Sequence, residues 1–355
     1  YKPVSVLKRS NEQDQTSGYL AMGICASTVS SEQLQAVDGQ NNIIYRENLA
    51  CRGSREKLGS VHTKVGSRGV NQDAALLQLG YKVEFGCFCG VFDGHGRYGH
   101  EVSKAVRNRL PSLILEEMKT VEKTEYYEER EERFGQKNEK ICKEYYLWRE
   151  ACLNAFRVMD KEIKLLEILD LSCSGSTAVV IMRQGNDLFI ANLGDSRAVL
   201  VTKNEKGLLP VQLTTDLKPS LKGEAERIAK CNGRVFALKA EPHIQRVWLP
   251  NVNSPGLAMS RAFGDFRLKD HGIIALPEVS HHRITANDQF IVLASDGVWD
   301  VLSNEEVAKT AWAAISEAAA AKAVVEAAAT VWKKKHQTSK IDDCTAVCLF
   351  LQNKR

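Results

Sequence analysis

The chain has 355 residues, 44% of them hydrophobic and 26% charged, with a formal net charge of +4. That length and apolar content suit one large domain, or two ordinary ones, with a sizeable buried core. A charge this small leaves no concentrated basic footprint, so nucleic acid is not expected as a partner. No run of about 18 uncharged apolar residues marks a membrane-spanning helix.

Residues 1–58 read as a flexible, polar N-terminal arm without sustained periodicity. Within it, Met22-Gly23-Ile24-Cys25-Ala26-Ser27 fits the N-myristoylation pattern. If translation starts at Met22, Gly23 carries the acyl chain and Cys25 can take a palmitoyl group. A single myristoyl chain binds membranes only marginally, with a constant of about 10⁴ M⁻¹, so stable anchoring needs both. If translation starts upstream, Gly23 has no free amine and the pattern is coincidence.

From Gly59 to residue 352 the texture becomes that of one domain. Short β-rich apolar runs occur at 85–92, 177–182, 187–193, 197–202, 289–294 and 345–351, separated by Gly, Asp and Asn turn signals. Two helical segments lie among them. One spans 98–119, with Val102, Val106, Leu110, Leu113 and Ile114 at helical spacing; the other spans 145–168, with Leu147, Ala151, Phe156, Met159 and Ile163. The charge-rich stretch 120–143 between them reads as a solvated surface insert. Near the C-terminus Ser303 and Glu306 form a capping box that opens one long helix, closed by Lys333, Lys334 and Lys335. Strand runs mixed with helix pairs give an α+β class. The ten cysteines, several within apolar runs (Cys87, Cys89, Cys173, Cys348), contain no C-x-x-C pair and read as free thiols of a reducing compartment.

Aspartates recur where the apolar runs stop. Asp93 follows Val91-Phe92, Asp195 follows Leu193-Gly194, and Asp296 follows Ala294-Ser295 with Asp300 four residues on. Asp342 and Asp343 precede the last run. A lone aspartate there is ordinarily a turn residue. If the set converges, each pair of carboxylates at 4 Å repels by about 4 kcal/mol at an effective dielectric of 20. A hard divalent cation relieves that repulsion. Oxygen-only donors suit Mg²⁺ or Mn²⁺, and no His or Cys cluster suits zinc.

Several motifs occur in order: Asn71-Gln72-Asp73, Val91-Phe92-Asp93-Gly94-His95-Gly96, Ser174-Gly175-Ser176-Thr177-Ala178, Gly194-Asp195-Ser196-Arg197, Met259-Ser260-Arg261-Ala262-Phe263-Gly264-Asp265 and Ala294-Ser295-Asp296-Gly297-Val298-Trp299-Asp300. Together they resemble the PP2C-type (PPM) protein phosphatases, and most of all the plant members, over about residues 59–352. The resemblance implies a four-layer α/β/β/α sandwich of two antiparallel sheets flanked by helices, with a metal centre at one end. It implies hydrolysis of phosphoserine and phosphothreonine in proteins by a water activated between two Mg²⁺ or Mn²⁺ ions, with a weaker third ion. Carried over residue by residue, Asp93 resembles the aspartate that bridges two metals, and the Gly94 carbonyl a further ligand. Asp296 and Asp342 resemble the other aspartates of the first metal, and Asp195 and Asp300 match the weak third position. Arg68 matches the phosphate clamp and His95 the general acid, and Asp73 joins them as a catalytic residue. Gln72 stands where the family commonly has a glutamate feeding the second metal, so that metal is expected to bind more weakly. Residues 216–268 resemble the flap, with a hairpin expected from 234–238 and 246–249. The implied protein is a cytoplasmic or nuclear monomer acting on phosphoproteins, attached to the plasma membrane if the arm is acylated.

Two other readings compete. Gly94-His95-Gly96-Arg97-Tyr98-Gly99 formally matches the dinucleotide fingerprint, but Asp93 would face a pyrophosphate there. A pseudophosphatase that keeps the fold as a binding module is the non-enzymatic alternative, with Gln72 its only support. Covalent cysteine catalysis of the tyrosine-phosphatase kind is excluded, because no cysteine is followed six positions later by arginine.

Overall fold

A computed structural model describes residues 33–36, 42–47, 59–83, 86–123, 139–166, 169–335 and 341–352. The acylation pattern at 22–27 and residues 124–138 of the charged insert lie outside the described residues.

The apolar runs pair edge to edge, and two large sheets result. The first orders β1 (Gln33–Ala36), β2 (Ile43–Glu47), β4 (Asp73–Leu79), β5 (Cys87–His95), β7 (Ala178–Gln184), β8 (Asp187–Leu193) and β15 (Glu278–Arg283). Short strands β6 (Gly175–Ser176) and β14 (Phe263–Gly264) pair beside the end of β5. The second sheet orders β10 (Gly207–Gln212), β9 (Arg197–Asn204), β16 (Asp288–Ala294), β17 (Cys344–Phe350) and β3 (Gly59–Lys64). A small third sheet contains β11 (Arg234–Ala237), β12 (Gln245–Trp248) and β13 (Pro255–Leu257).

Three apolar clusters show what the faces bury. Helices α1 (Gly99–Lys123) and α2 (Glu139–Lys164) set Val102, Val106, Leu110, Trp148 and Phe156 against Phe88, Phe92 and Val180 of the first sheet. Helices α3 (Asn304–Ala313) and α4 (Glu317–Lys335) set Val307, Val324 and Ala328 against Phe290, Val292 and Phe350 of the second. A third cluster joins Leu77, Cys89 and Ile181 of one sheet to Leu200, Ile291 and Val347 of the other. Strands covered on both sides need no polar face, so Phe290–Ala294 of β16 and Ala346–Phe350 of β17 read as unbroken apolar runs. Each fully buried Phe, Leu or Val there contributes about 1.5–3 kcal/mol.

Three expectations are corrected. The sheets are not wholly antiparallel, because β2 pairs in parallel with β4. Between them the chain crosses to β3 in the other sheet and returns, the kind of crossover that parallel neighbours require. Structure also begins before Gly59, since Ile43 and Ile44 of β2 are buried in the core. The single long C-terminal helix is two helices. The capping box forms as expected, but Ala314 leaves helical geometry at φ −57, ψ 147, and α4 starts afresh at Glu317. Alanine-rich sequence carries no signal for such a break.

Candidate active site

Strand register brings the aspartates together. β4 pairs with β5 so that Asp73 lies opposite Asp93. In the second sheet Ala294 stands opposite both Ala346 and Arg197, so the chain leaving β16 toward Asp296, the chain entering β17 from Asp342 and the turn before β9 share one end. That turn carries Asp195 and links the sheets, passing through Gly194 at φ +100, where only glycine is unstrained.

Hydroxyls tie the pieces. Thr177 Oγ1 accepts from the Asp93 amide at 3.0 Å and lies 2.7 Å from Ser196 Oγ. Ser295 Oγ donates to Asp73 Oδ2 at 2.7 Å and accepts from the Thr345 amide at 3.1 Å. Asp343, buried, accepts from the amides of Gly66 and Gln72 at 2.7 and 2.8 Å, which fixes the loop carrying Arg68.

The electrostatics bear out the convergence. Burial first, then Asp73, Asp296, Asp342 and Asp195, push the Asp93 carboxyl well above the usual range. Burial, then Asp195, Asp342 and Asp300, do the same to Asp296. Asp73 is raised to about 7, by burial and then by Asp343. Asp195 is raised to about 6 by burial, with Lys218 pulling the other way. Carboxylates crowded like this favour their neutral form unless a cation is supplied.

Asp93, Asp195, Asp296, Asp300 and Asp342 line one cleft of about 560 Å³ together with Arg68, His95 and Lys218. Its far wall comes from the small sheet and its flanks, including Ile244, Arg246, Leu257 and Met259. The expected hairpin forms there from β11 and β12, and Trp248 stacks on Phe236 with ring centroids 5.1 Å apart. A larger cavity of about 1260 Å³, lined by Lys203, Asn287 and Trp312 among others, contains none of these aspartates.

Not every expected residue is placed as its role requires. Arg68 Nη2 donates to Asp342 Oδ2 at 3.1 Å. Gln72 turns its side-chain amide to the Gly96 carbonyl at 2.6 Å and does not line the cleft. His95 Nε2 bonds Asp265 Oδ2 at 2.6 Å, while its Nδ1 is buried with no hydrogen-bond partner among the described residues. Burial works against a charged His95, but Asp265 outweighs it and the imidazole is raised above its ordinary value. The sequence assigns no role to Asp265 or Lys218, and marks Asp343 only as one of the aspartates at the ends of apolar runs. Asp265 ends a quoted motif and Asp343 adjoins Asp342, but nothing local in the sequence announces Lys218.

The dinucleotide reading fails on topology. β5 leads into α1 through the glycine-rich turn, but its neighbours β4 and β7 both run antiparallel to it, so no βαβ unit exists there.

The family profile described as Protein phosphatase 2C matches residues 73–341. The chain belongs to the protein phosphatase 2C family. It is 51% identical over 344 residues to "Probable protein phosphatase 2C 72" of Arabidopsis thaliana, covering 94% of this chain and 99% of that protein. It is 46% identical over 364 residues to "Probable protein phosphatase 2C 12" of Oryza sativa subsp. japonica, covering 94% and 92%. Among solved structures, the serine-threonine phosphatase 2C from Toxoplasma gondii superposes with a TM-score of 0.70 at 25% identity, covering 83% of this chain and 94% of that one. Membership makes the chain an enzyme, a metal-dependent serine/threonine protein phosphatase of plant-like type.

The family's dependence on divalent cations can be tested against this phosphatase's own residues. Among the described residues no three acidic, His or Cys side chains stand as a ready-made ligand cluster. The donors nevertheless suit a hard cation. They are all oxygens on one cleft, half-buried or buried except for the exposed Asp300, and Asp195 Oδ1 is buried with no hydrogen-bond partner among the described residues. At Gly94 an added Cβ would lie 2.3 Å from the Gly99 carbonyl oxygen and 2.6 Å from that of Gln72, so this part of the phosphatase's rim has no room for a side chain.

Proposed function

We propose that this phosphatase hydrolyses phosphoserine and phosphothreonine in proteins, using two Mg²⁺ or Mn²⁺ ions held by Asp93, Asp296, Asp342 and the Gly94 carbonyl. The reading rests on one observation, the convergence of carboxylates from β5, from just after β16 and from just before β17 in a cleft that also holds Arg68. Divalent cations at such a centre make water nucleophilic near neutral pH and neutralise charge building on the phosphoryl oxygens. Asp195 and Asp300 line the weaker third position. The three apolar clusters support a four-layer α/β/β/α sandwich with this centre at one end.

The chain's own residues supply the remaining chemistry. Arg68 grips the phosphoryl oxygens with its planar fork, a geometry that lysine lacks. His95 gives its proton to the departing serine or threonine oxygen, with Asp265 holding its Nε2 and favouring the charged ring. Asp73 backs the centre from beside Asp93, with Ser295 holding its second oxygen. Residues 216–268 act as the flap, closing the cleft opposite the carboxylates. Where translation starts at Met22, Gly23 and Cys25 add a membrane attachment; no helix among the described residues is long and apolar enough to cross a membrane.

Gln72 favours a second reading. Its amide is spent on the Gly96 carbonyl, which weakens the second cation and suits a catalytically silent binding module. Hydrolysis of a phosphothreonine peptide separates the two. Mn²⁺-dependent release of phosphate, abolished in Asp93→Ala, supports the enzyme; binding of the peptide without turnover at any Mn²⁺ concentration supports the module.

A further inference from the structure

The third-cation position already contains a cation of the chain's own. Lys218 Nζ stands 4.0 Å from Asp195 Oδ2 and 4.0 Å from Asp300 Oδ1, between the two carboxylates assigned to that position. Its backbone is pinned on both sides. The Leu217 amide donates to the Gly194 carbonyl at 2.9 Å, beside Asp195, and the Leu217 carbonyl accepts from the Ser260 amide at 2.8 Å. The Lys218 carbonyl accepts from the Leu221 amide at 3.1 Å. Pro219 then restricts the chain further, so the lysine leaves a fixed point.

The neighbouring acid that could divert this ammonium is already paired. Asp216 takes the Arg197 guanidinium through both oxygens, at 3.0 and 2.5 Å. Arg197 is thereby committed to Asp216, though its charge still reaches Asp300, and Lys218 faces both Asp195 and Asp300. Asp195 is buried, and its Oδ1 has no hydrogen-bond partner among the described residues, so its charge depends on whatever cation stands beside it.

We propose that Lys218 is a built-in competitor for the third divalent ion, occupying the space between Asp195 and Asp300 and making that ion the weakest of the three. A divalent cation must displace the ammonium before both carboxylates can turn to it. The third ion of this phosphatase is therefore set by a side chain outside the ligand set, independently of the other two. The inference rests on the proposed metal centre.

The test counts ions and does not depend on turnover. The full chain, stripped with a chelator, is titrated with Mn²⁺ by calorimetry at one fixed pH near neutrality, as wild type, Lys218→Met and Lys218→Arg. The expected result is two stronger steps in all three proteins, the second of them weakened by Gln72, and a weakest step that tightens about tenfold or more in Lys218→Met alone, as removal of a competing charge at this range predicts. Lys218→Gln repeats the measurement with a polar neutral side chain should the methionine variant fail to fold. An unchanged weakest step in both neutral variants, or an equal shift in Lys218→Arg, overturns the role of Lys218 while leaving the metal centre standing. Absence of any Mn²⁺ step stronger than the weakest one in wild type overturns the centre itself, and the competitor with it.

Discussion

Arg68 and Asp342 hold each other: the guanidinium proposed to clamp phosphate donates to a carboxylate proposed to hold metal, at 3.1 Å. The arginine side chain is 57% exposed, so the pair is worth about 0–1 kcal/mol and gives way readily. A cation taking Asp342 then frees Arg68 toward the cleft.

Arg68→Ala should lower kcat/KM for a phosphothreonine peptide by about ten- to a hundredfold, the worth of a lost charged hydrogen bond. Mn²⁺ titration of the same variant should give a midpoint close to that of wild type, because the pair it breaks is weak. Steady-state kinetics over a metal series measures both. Unaltered kcat/KM would remove Arg68 from the phosphate.

Gln72→Glu replaces the donor that now bonds the Gly96 carbonyl with a carboxylate that cannot donate. Facing a carbonyl oxygen, the new carboxylate should turn to the cations, and the Mn²⁺ concentration for half-maximal activity should fall by about tenfold, as one added charge at this range predicts. Equal midpoints for the two proteins would show that position 72 does not govern the second ion.

Without divalent cations, stability should fall as pH rises. Asp73 is raised to about 7 and Asp195 to about 6, so above about pH 4 the unfolded chain loses protons that the folded state still holds. The folded state therefore becomes less favoured as pH climbs through those values. Bound cations cancel the repulsion, and Mn²⁺ should raise Tm more at about pH 7.5 than at about pH 5. Thermal melts with chelator and with Mn²⁺ at both pH values check this; a chelator Tm that climbs between them would contradict it.

Glu224 runs the opposite way. Burial alone would raise it, but Arg261, Arg227 and Ser260 together hold its carboxyl down from 4.5 to about 2. A depressed acid stabilises the fold above its unfolded value and loses that contribution as pH falls toward the folded one. Glu224→Gln should cost roughly 3 kcal/mol near pH 7, and the difference from wild type should shrink between about pH 4.5 and pH 2. Urea melts across that range measure it. A pH-independent difference would assign the loss to packing instead.

Much of this molecule was legible residue by residue. The run 187–193 is β8 to the residue, and the Ser303–Glu306 capping box forms in both directions, at 3.2 and 2.8 Å. Apolar runs and caps are local signals, and they survive folding because the backbone obeys them over a few residues. The parallel entry of β2 and the break after Ala313 were not legible. The first depends on a neighbour 32 residues away in the chain, and the second sits in a run of good helix formers.

The linear sequence by itself determined which acids this phosphatase carries, where its strands stop and to which family its motifs belong. Only the tertiary structure decided the partners: Asp265 on His95 across 170 positions, Asp342 on Arg68 across 274, and Lys218 between Asp195 and Asp300. The reason is physical. Propensity and capping act within a turn or two, whereas charges meet according to sheet register and loop anchoring, which are settled only when distant segments pack.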